Sequence, residues 1–205
     1  MAFLSTIRRK YYRLPWIARK LRSKIQLPLE RDGITYRLLS GTDSIDELTS
    51  LINRAYSVHK EAGLHHSAIN QSSSETIKRI RHAYTFLALA ENRIIGTISY
   101  KPPWECRGNT WFNKQKVAKT NMLAIEPAFQ GRGIASIFFE LVELLAFLHG
   151  ADELASDIAE KNEKQIKIKE NRGYRFISFH KWKFADYRSV IMSKDLSAEY
   201  SERTE

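Results

Sequence analysis

Leu123-Ala124-Ile125-Glu126-Pro127-Ala128-Phe129-Gln130-Gly131-Arg132-Gly133-Ile134-Ala135, followed by an apolar run to Leu148, is the stretch on which the reading of this chain turns. It predicts a strand, a glycine-containing turn and then a helix. The apolar period changes there, with Ile134, Ile137, Phe138, Leu141, Leu145 and Leu148 placed at the i, i+3, i+4 spacing of one helical face. A turn of this kind leaves its own N–H groups, and the first N–H groups of the helix, unpaired in one small space, which is a site for an anion. Glycine at 131 and 133 lets a phosphate come within hydrogen-bond range of the backbone. A strand-to-helix turn with no ligand has the same pattern, so the rest of the chain has to decide between the two.

With 205 residues and 43% hydrophobic content, the chain can bury one good core with a short appendage. Its single cysteine, Cys106, excludes an internal disulfide framework and a cysteine-rich metal site, and fits a reducing, cytoplasmic setting. No run approaches the roughly 18 apolar residues that span a bilayer, and the N-terminus lacks the apolar core of a secretory signal. The expected protein is cytoplasmic, either soluble or peripheral to a membrane.

The net charge of +10 is concentrated in residues 1–28, which hold Arg8, Arg9, Lys10, Arg13, Arg19, Lys20, Arg22 and Lys24 and no acidic residue. The remainder is close to neutral, so the globular part need not bind nucleic acid. Within an arm of residues 1–30, Leu4, Ile7, Tyr11, Leu14, Ala18, Leu21 and Ile25 share a helical face opposite the basic side chains, with Pro15 as a break or kink. Such a helix suits packing on its own domain or on a second copy in a homodimer, then an anionic membrane surface, and nucleic acid last.

The domain proper is expected over 31–197, with a polar tail at 198–205. Gln26 to Gly33 reads as an aperiodic junction, and Ile34–Leu39 as the first strand. A helix capped by Asp43 or Ser44 follows, then a loop with His65 and His66, and a short helix from Glu75. A hairpin (Thr85–Ala90, Ile94–Tyr100) leads to an aperiodic flap, Pro102–Lys114, and a strand from Lys116 to Ile125. After the long helix come a strand at Glu153–Ile158, a helix from Asn162 stopped at Gly173, and two closing strands. This order predicts an α/β fold, with one mixed, mostly antiparallel sheet flanked by helices.

The element order, together with Gln130-Gly131-Arg132-Gly133-Ile134-Ala135 at the turn, resembles the GNAT superfamily of N-acyltransferases. Gln130, Gly133 and Ala135 fill the specified positions of the family pattern Q/R-x-x-G-x-G/A. A second motif agrees independently, since Asn162 is followed eleven residues later by Gly173 and the aromatic Tyr174. The resemblance covers about Ile34 to Leu196 and leaves the basic arm outside.

The resemblance implies acetyl-CoA or another acyl-CoA as co-substrate, an amine-bearing acceptor, and no metal. It places the pyrophosphate on the backbone of Gly131, Arg132, Gly133, Ile134 and Ala135 beside Gln130, and pairs the pantetheine arm like an extra strand with Leu123 and Ile125. The Leu123 N–H then faces the thioester carbonyl as an oxyanion donor. Asn162 joins the cofactor set. Asp157 stands where the family often has an acidic residue that works through water, and a purely structural carboxylate remains an equal reading. Lys169 replaces the tyrosine that many relatives carry near the sulfur; as a proton donor a lysine is matched only if its pKa is depressed. Tyr187 is the reserve candidate for that role. Three functions follow: an N-acetyltransferase; an N-acyltransferase using a longer chain from CoA or an acyl carrier protein; and a non-catalytic acyl-CoA-binding or membrane-tethered protein.

Overall fold

The computed structural model describes residues 27–57, 67–183 and 185–197. The expected basic helix, the His65-His66 pair and the polar tail lie outside the described residues. The elements are β1 (Leu29–Arg31), β2 (Ile34–Leu38), α1 (Ile45–Ser57), α2 (Ser73–Ile80), β3 (Tyr84–Ala90), β4 (Arg93–Lys101), β5 (Val117–Ile125), α3 (Ile134–Leu148), β6 (Glu153–Ala159), α4 (Glu163–Asn171), β7 (Arg175–Lys181) and β8 (Arg188–Asp195). The eight strands form one sheet in the order β1-β2-β3-β4-β5-β6-β8-β7, antiparallel throughout except for the β5–β6 pair. The mixed, mostly antiparallel sheet is therefore the observed one.

Two boundaries differ from the sequence reading, each for a local reason. The expected junction contains strand β1, which folds back on β2 through Asp32 and Gly33 at φ +53° and +73°. Asp-Gly is a hairpin turn pair because both positions tolerate positive φ, a signal overshadowed by the lack of period around it. Helix α2 begins before Glu75 because Ser72 and Glu75 form a reciprocal capping box. At α1 the structure chooses between two candidate caps: Ser44 Oγ accepts the Glu47 N–H at 3.1 Å, while Asp43 is engaged by Arg37 at 2.6 Å.

Strands β3, β4 and β5 are covered on both faces, so β3 is buried along nearly its whole length and reads as continuously apolar. Phe86 and Ala88 face the core built by Phe138, Leu141, Val142 and Leu145 of α3. Their neighbours Leu87 and Leu89 face the opposite core, with Leu48, Leu51 and Ile52 of α1. The flap expected at 102–114 is packed down: Cys106 and Phe112 are buried with Val117, Ala155 and Ile191, and Trp111 and Trp182 close over them. Among the described residues, no helix is long and apolar enough to cross a membrane.

Candidate functional site

Helices cover β4 and β5 on both faces, and within that frame β5 and β6 come apart. They pair only where Val117–Lys119 meets Glu153–Ala155. Beyond that point β5 continues against β4, and β6 against β8, so a wedge opens between two strand edges. A bulge accompanies the divergence: Thr97 pairs with Ala124 and Ser99 with Asn121, leaving Met122 and Leu123 opposite one residue of β4. Met122 sits at φ +54° with its side chain buried, and the strain of that conformation, on the order of 1 kcal/mol, is held in place by the packing around it.

The wedge ends in a cleft of about 190 Å³. Five of the residues singled out from sequence line it: Leu123, Asp157, Asn162, Lys169 and Tyr187, which come from β5, β6, the cap and body of α4, and the approach to β8. The residues of the glycine turn do not line this cleft; they lie one strand end away, beyond Ile125. Gly131 and Gly133 hold φ +79° and +78°, and a Cβ at either would enter open space. Gly133 caps α3 without a side-chain bond, so the N–H groups of Ile134 and Ala135 have no acceptor from the helix itself. The exposed Gln130 side chain braces the turn, its Nε2 donating to the Ile125 carbonyl at 3.3 Å. Arg132 lies with its guanidinium 4.8 Å from the Phe129 ring centroid. Asn162 caps α4, its Oδ1 accepting the Gln165 N–H at 3.2 Å, which leaves the amide nitrogen for a ligand.

The electrostatics of the cleft come from groups that no spacing in the sequence connects. Lys169 is 3% exposed, and among the described residues its Nζ has no hydrogen-bond partner. The ammonium lies 3.8 Å from the Tyr174 ring centroid and 4.2 Å from that of Phe139. Burial lowers its pKa to about 7; the nearby Glu143 carboxylate opposes the shift, and the positive charges of Arg172 and Lys194 add to it. Glu143 itself is fully buried on α3, where it receives Lys194 Nζ at 2.8 Å, Arg172 at 3.4 Å and the Tyr174 hydroxyl at 3.4 Å.

Asp157 is the opposite case. Burial pushes its carboxyl pKa up, but the Lys119 ammonium at 2.8 Å and hydrogen bonding, including that of the Trp182 indole, outweigh this and hold it below the usual carboxylate value. Lys119 in turn lies over the Phe112 and Trp182 rings. The packed flap therefore secures the cation that keeps Asp157 ionised. Burial and the charge of Asp157 raise the pKa of Tyr187, so its hydroxyl stays protonated at neutral pH. Burial likewise pushes Tyr56 of α1 up to about 12.

Sequence reasoning missed Tyr56, Arg79, Asn121 and Ser156, all of which line the cleft. Nothing in their local pattern distinguishes them from ordinary helix and strand residues. Asn121 Oδ1 and Ser156 Oγ, like Lys169 Nζ, are buried without a hydrogen-bond partner among the described residues. Three such atoms around one cleft are a polar lining that awaits polar partners, because each unsatisfied group costs about 1–3 kcal/mol. With the open backbone at Gly131 and Gly133, this lining leaves room for a ligand that carries hydrogen-bonding groups. Among the described residues, no group of three or more His, Cys, Asp or Glu is placed to hold a metal.

Residues 45–174 match the family model of the GNAT acetyltransferase family, and the chain belongs to that family. Solved structures share the fold at low sequence identity. A GNAT family acetyltransferase from Elizabethkingia anophelis with acetyl-CoA bound superposes with a TM-score of 0.59 at 16% identity, over 80% of this chain and 99% of that one. An acetyltransferase from Streptococcus agalactiae gives 0.60 at 20% identity, over 80% and 99%. The ribosomal-protein-S18-alanine N-acetyltransferase of Escherichia coli gives 0.60 at 14% identity, over 80% and 94%. No curated protein matches by sequence.

Proposed function

We propose that this acetyltransferase uses acetyl-CoA and delivers the acetyl group to a primary amine that attacks directly in the cleft between β5 and β6. The observation that carries the reading is the course of the wedge, which runs from the open glycine turn, past a strand edge without a partner, to buried polar atoms that lack partners. Acetyl-CoA, when bound, supplies a thioester whose acyl carbon accepts the amine and whose sulfur departs as thiolate.

The backbone N–H groups of Gly131 to Ala135, at the positive end of α3, hold the pyrophosphate. The free edge of Leu123 and Ile125 pairs with the pantetheine amides, and the Leu123 N–H donates to the oxygen that gains charge, an interaction strongest in the transition state. The Asn162 amide supports the same arm. Asp157 remains ionised and attracts the acceptor's ammonium; the proton then leaves through water, because a carboxylate with a lowered pKa is a weak base toward an amine titrating near ~10. Lys169 takes the leaving-group role. With its pKa at about 7 it can hand a proton to a thiolate whose conjugate acid titrates near ~8.5, which an ordinary lysine does poorly. The Tyr187 hydroxyl, protonated and on the same cleft, is the second donor.

The test is release of free thiol from acetyl-CoA across a broad panel of primary amines, with the protein's melting temperature followed in parallel. Thiol release with at least one amine supports the reading. Acetyl-CoA that raises the melting temperature but yields no thiol with any amine overturns it in favour of a binding protein. The basic arm, residues 1–30, is proposed as the contact to a second copy, to an anionic membrane or to an acidic carrier, and cosedimentation with anionic vesicles checks the membrane alternative.

A further inference from the structure

Lys169 combines properties that its leaving-group role does not require. The residue lines the cleft that would receive an acyl thioester, with the amine buried between two aromatic rings and, among the described residues, without a hydrogen-bond partner. An ammonium there bears a desolvation cost that the Glu143 carboxylate offsets only in part, since Glu143 is already bonded to Lys194, Arg172 and Tyr174. A neutral amine, or a neutral amide, fits the same place better.

We propose that Lys169 is a site of self-acylation, at which the side-chain amine takes the acyl group of the bound thioester when no acceptor amine occupies the cleft. The inference rests on the acyl-CoA reading above. In the step, the Nζ lone pair attacks the thioester carbonyl carbon, a C–N bond forms, the C–S bond breaks, and the thiolate leaves with the electron pair. The proton released from nitrogen goes to the thiolate, giving an Nε-acyl-lysine and free thiol with no other reactant. The product is an amide, which does not pass its acyl group on to another amine. The modification therefore removes the leaving-group acid and fills the cleft, so it acts as a block and not as an intermediate.

The groups that set the reactivity of this amine are the Glu143 carboxylate from α3, Arg172 after α4, Lys194 from β8 and the Tyr174 ring before β7. Their balance leaves far more neutral amine at pH 7 than an exposed lysine has, by about a thousandfold.

The experiment incubates the full chain with acetyl-CoA and no amine, then maps acetylated lysines by peptide mass over time, while the melting temperature reports binding. Acetylation of Lys169 faster than of any exposed lysine by about tenfold or more, on a rate that levels off above pH ~7 while surface lysines keep accelerating, is the expected result. The selectivity should vanish in Gly133→Trp, which closes the phosphate cradle, and in the heat-unfolded chain. A Lys169 left unmodified, or modified no faster than exposed lysines, while acetyl-CoA raises the melting temperature, overturns the proposal and leaves the acyl-CoA reading standing. Neither modification nor a melting shift overturns both.

Discussion

Between Gln130 and Ala135 the protein offers a ligand little besides backbone, whereas the cleft between β5 and β6 presents side chains from α1, α2, β5, β6 and α4. The turn is built from two glycines at positive φ and a helix end, all within six residues of sequence. The cleft works through desolvation, which no single segment creates: Lys169 titrates near neutrality because α3, α4 and β8 bury it beside Arg172 and Lys194. The turn should therefore fail when its own backbone is blocked. The cleft should respond to changes at distances its sequence does not reveal.

The largest expected effect tests the turn. Gly133→Trp places a bulky side chain in open space at φ +78°, so the fold survives with a conformational cost on the order of 1 kcal/mol. Acetyl-CoA binding should fall by roughly a hundredfold or more, as titration calorimetry would show, because several hydrogen bonds to phosphate are lost together. Unchanged affinity would remove the turn from the site.

Lys169→Met comes next and separates chemistry from stability. The rate kcat should fall about 10- to 100-fold, and the decline of the wild-type profile above pH ~7 should disappear, since that limb reports loss of the lysine's proton. Stability should move the other way. The folded-state pKa of about 7 lies below the unfolded value of 10.5, so the unfolded chain binds more protons between these pH values and wild-type stability rises across that window. At pH 7 the variant should be more stable by about 2 kcal/mol or more in urea unfolding, and the difference should shrink toward pH 10.5. A pH-independent difference would mean that the amine carries no buried charge.

Asp157→Asn should raise the KM for the amine about tenfold while moving kcat less, as initial-rate kinetics would read. Its carboxyl pKa is depressed, so the stabilisation from the Lys119 pair is present at neutral pH and lost as the solution is acidified below the ordinary carboxylate value of 3.8. The smallest effect is expected at Gln130→Ala, which removes only the brace to the Ile125 carbonyl. Acetyl-CoA affinity should change by about threefold or less and stability by about 0.5–1 kcal/mol. A loss as large as that of Gly133→Trp would show that the glutamine side chain binds the ligand directly.

How much could be read beforehand follows the same division. The strand, turn and helix around Gly131 and Gly133 were legible because apolar period and glycine placement are local properties, and the Asn162 cap and Gly173 stop were legible for the same reason. The β1 hairpin was missed although Asp32-Gly33 announces it, and the α2 start was misplaced although Ser72 and Glu75 announce that. In the cleft, Leu123, Asp157, Asn162, Lys169 and Tyr187 were named through family resemblance, while Tyr56, Arg79, Asn121 and Ser156 carry no signal in their own segments. Glu143 sits one step from the apolar face of α3 and reads as a surface residue, yet it is the anion around which Lys194, Arg172 and Tyr174 gather.

The sequence by itself determined the class of fold, the glycine turn that opens α3 and the family, because periodicity, capping and glycine at positive φ act over a few neighbouring residues. Only the tertiary structure decided that the lysine standing in for a tyrosine has a pKa near neutrality, that Asp157 is held ionised by Lys119, and that β5 and β6 part after three residue pairs. Burial and charge proximity set these properties, and both depend on which distant segments the fold brings together.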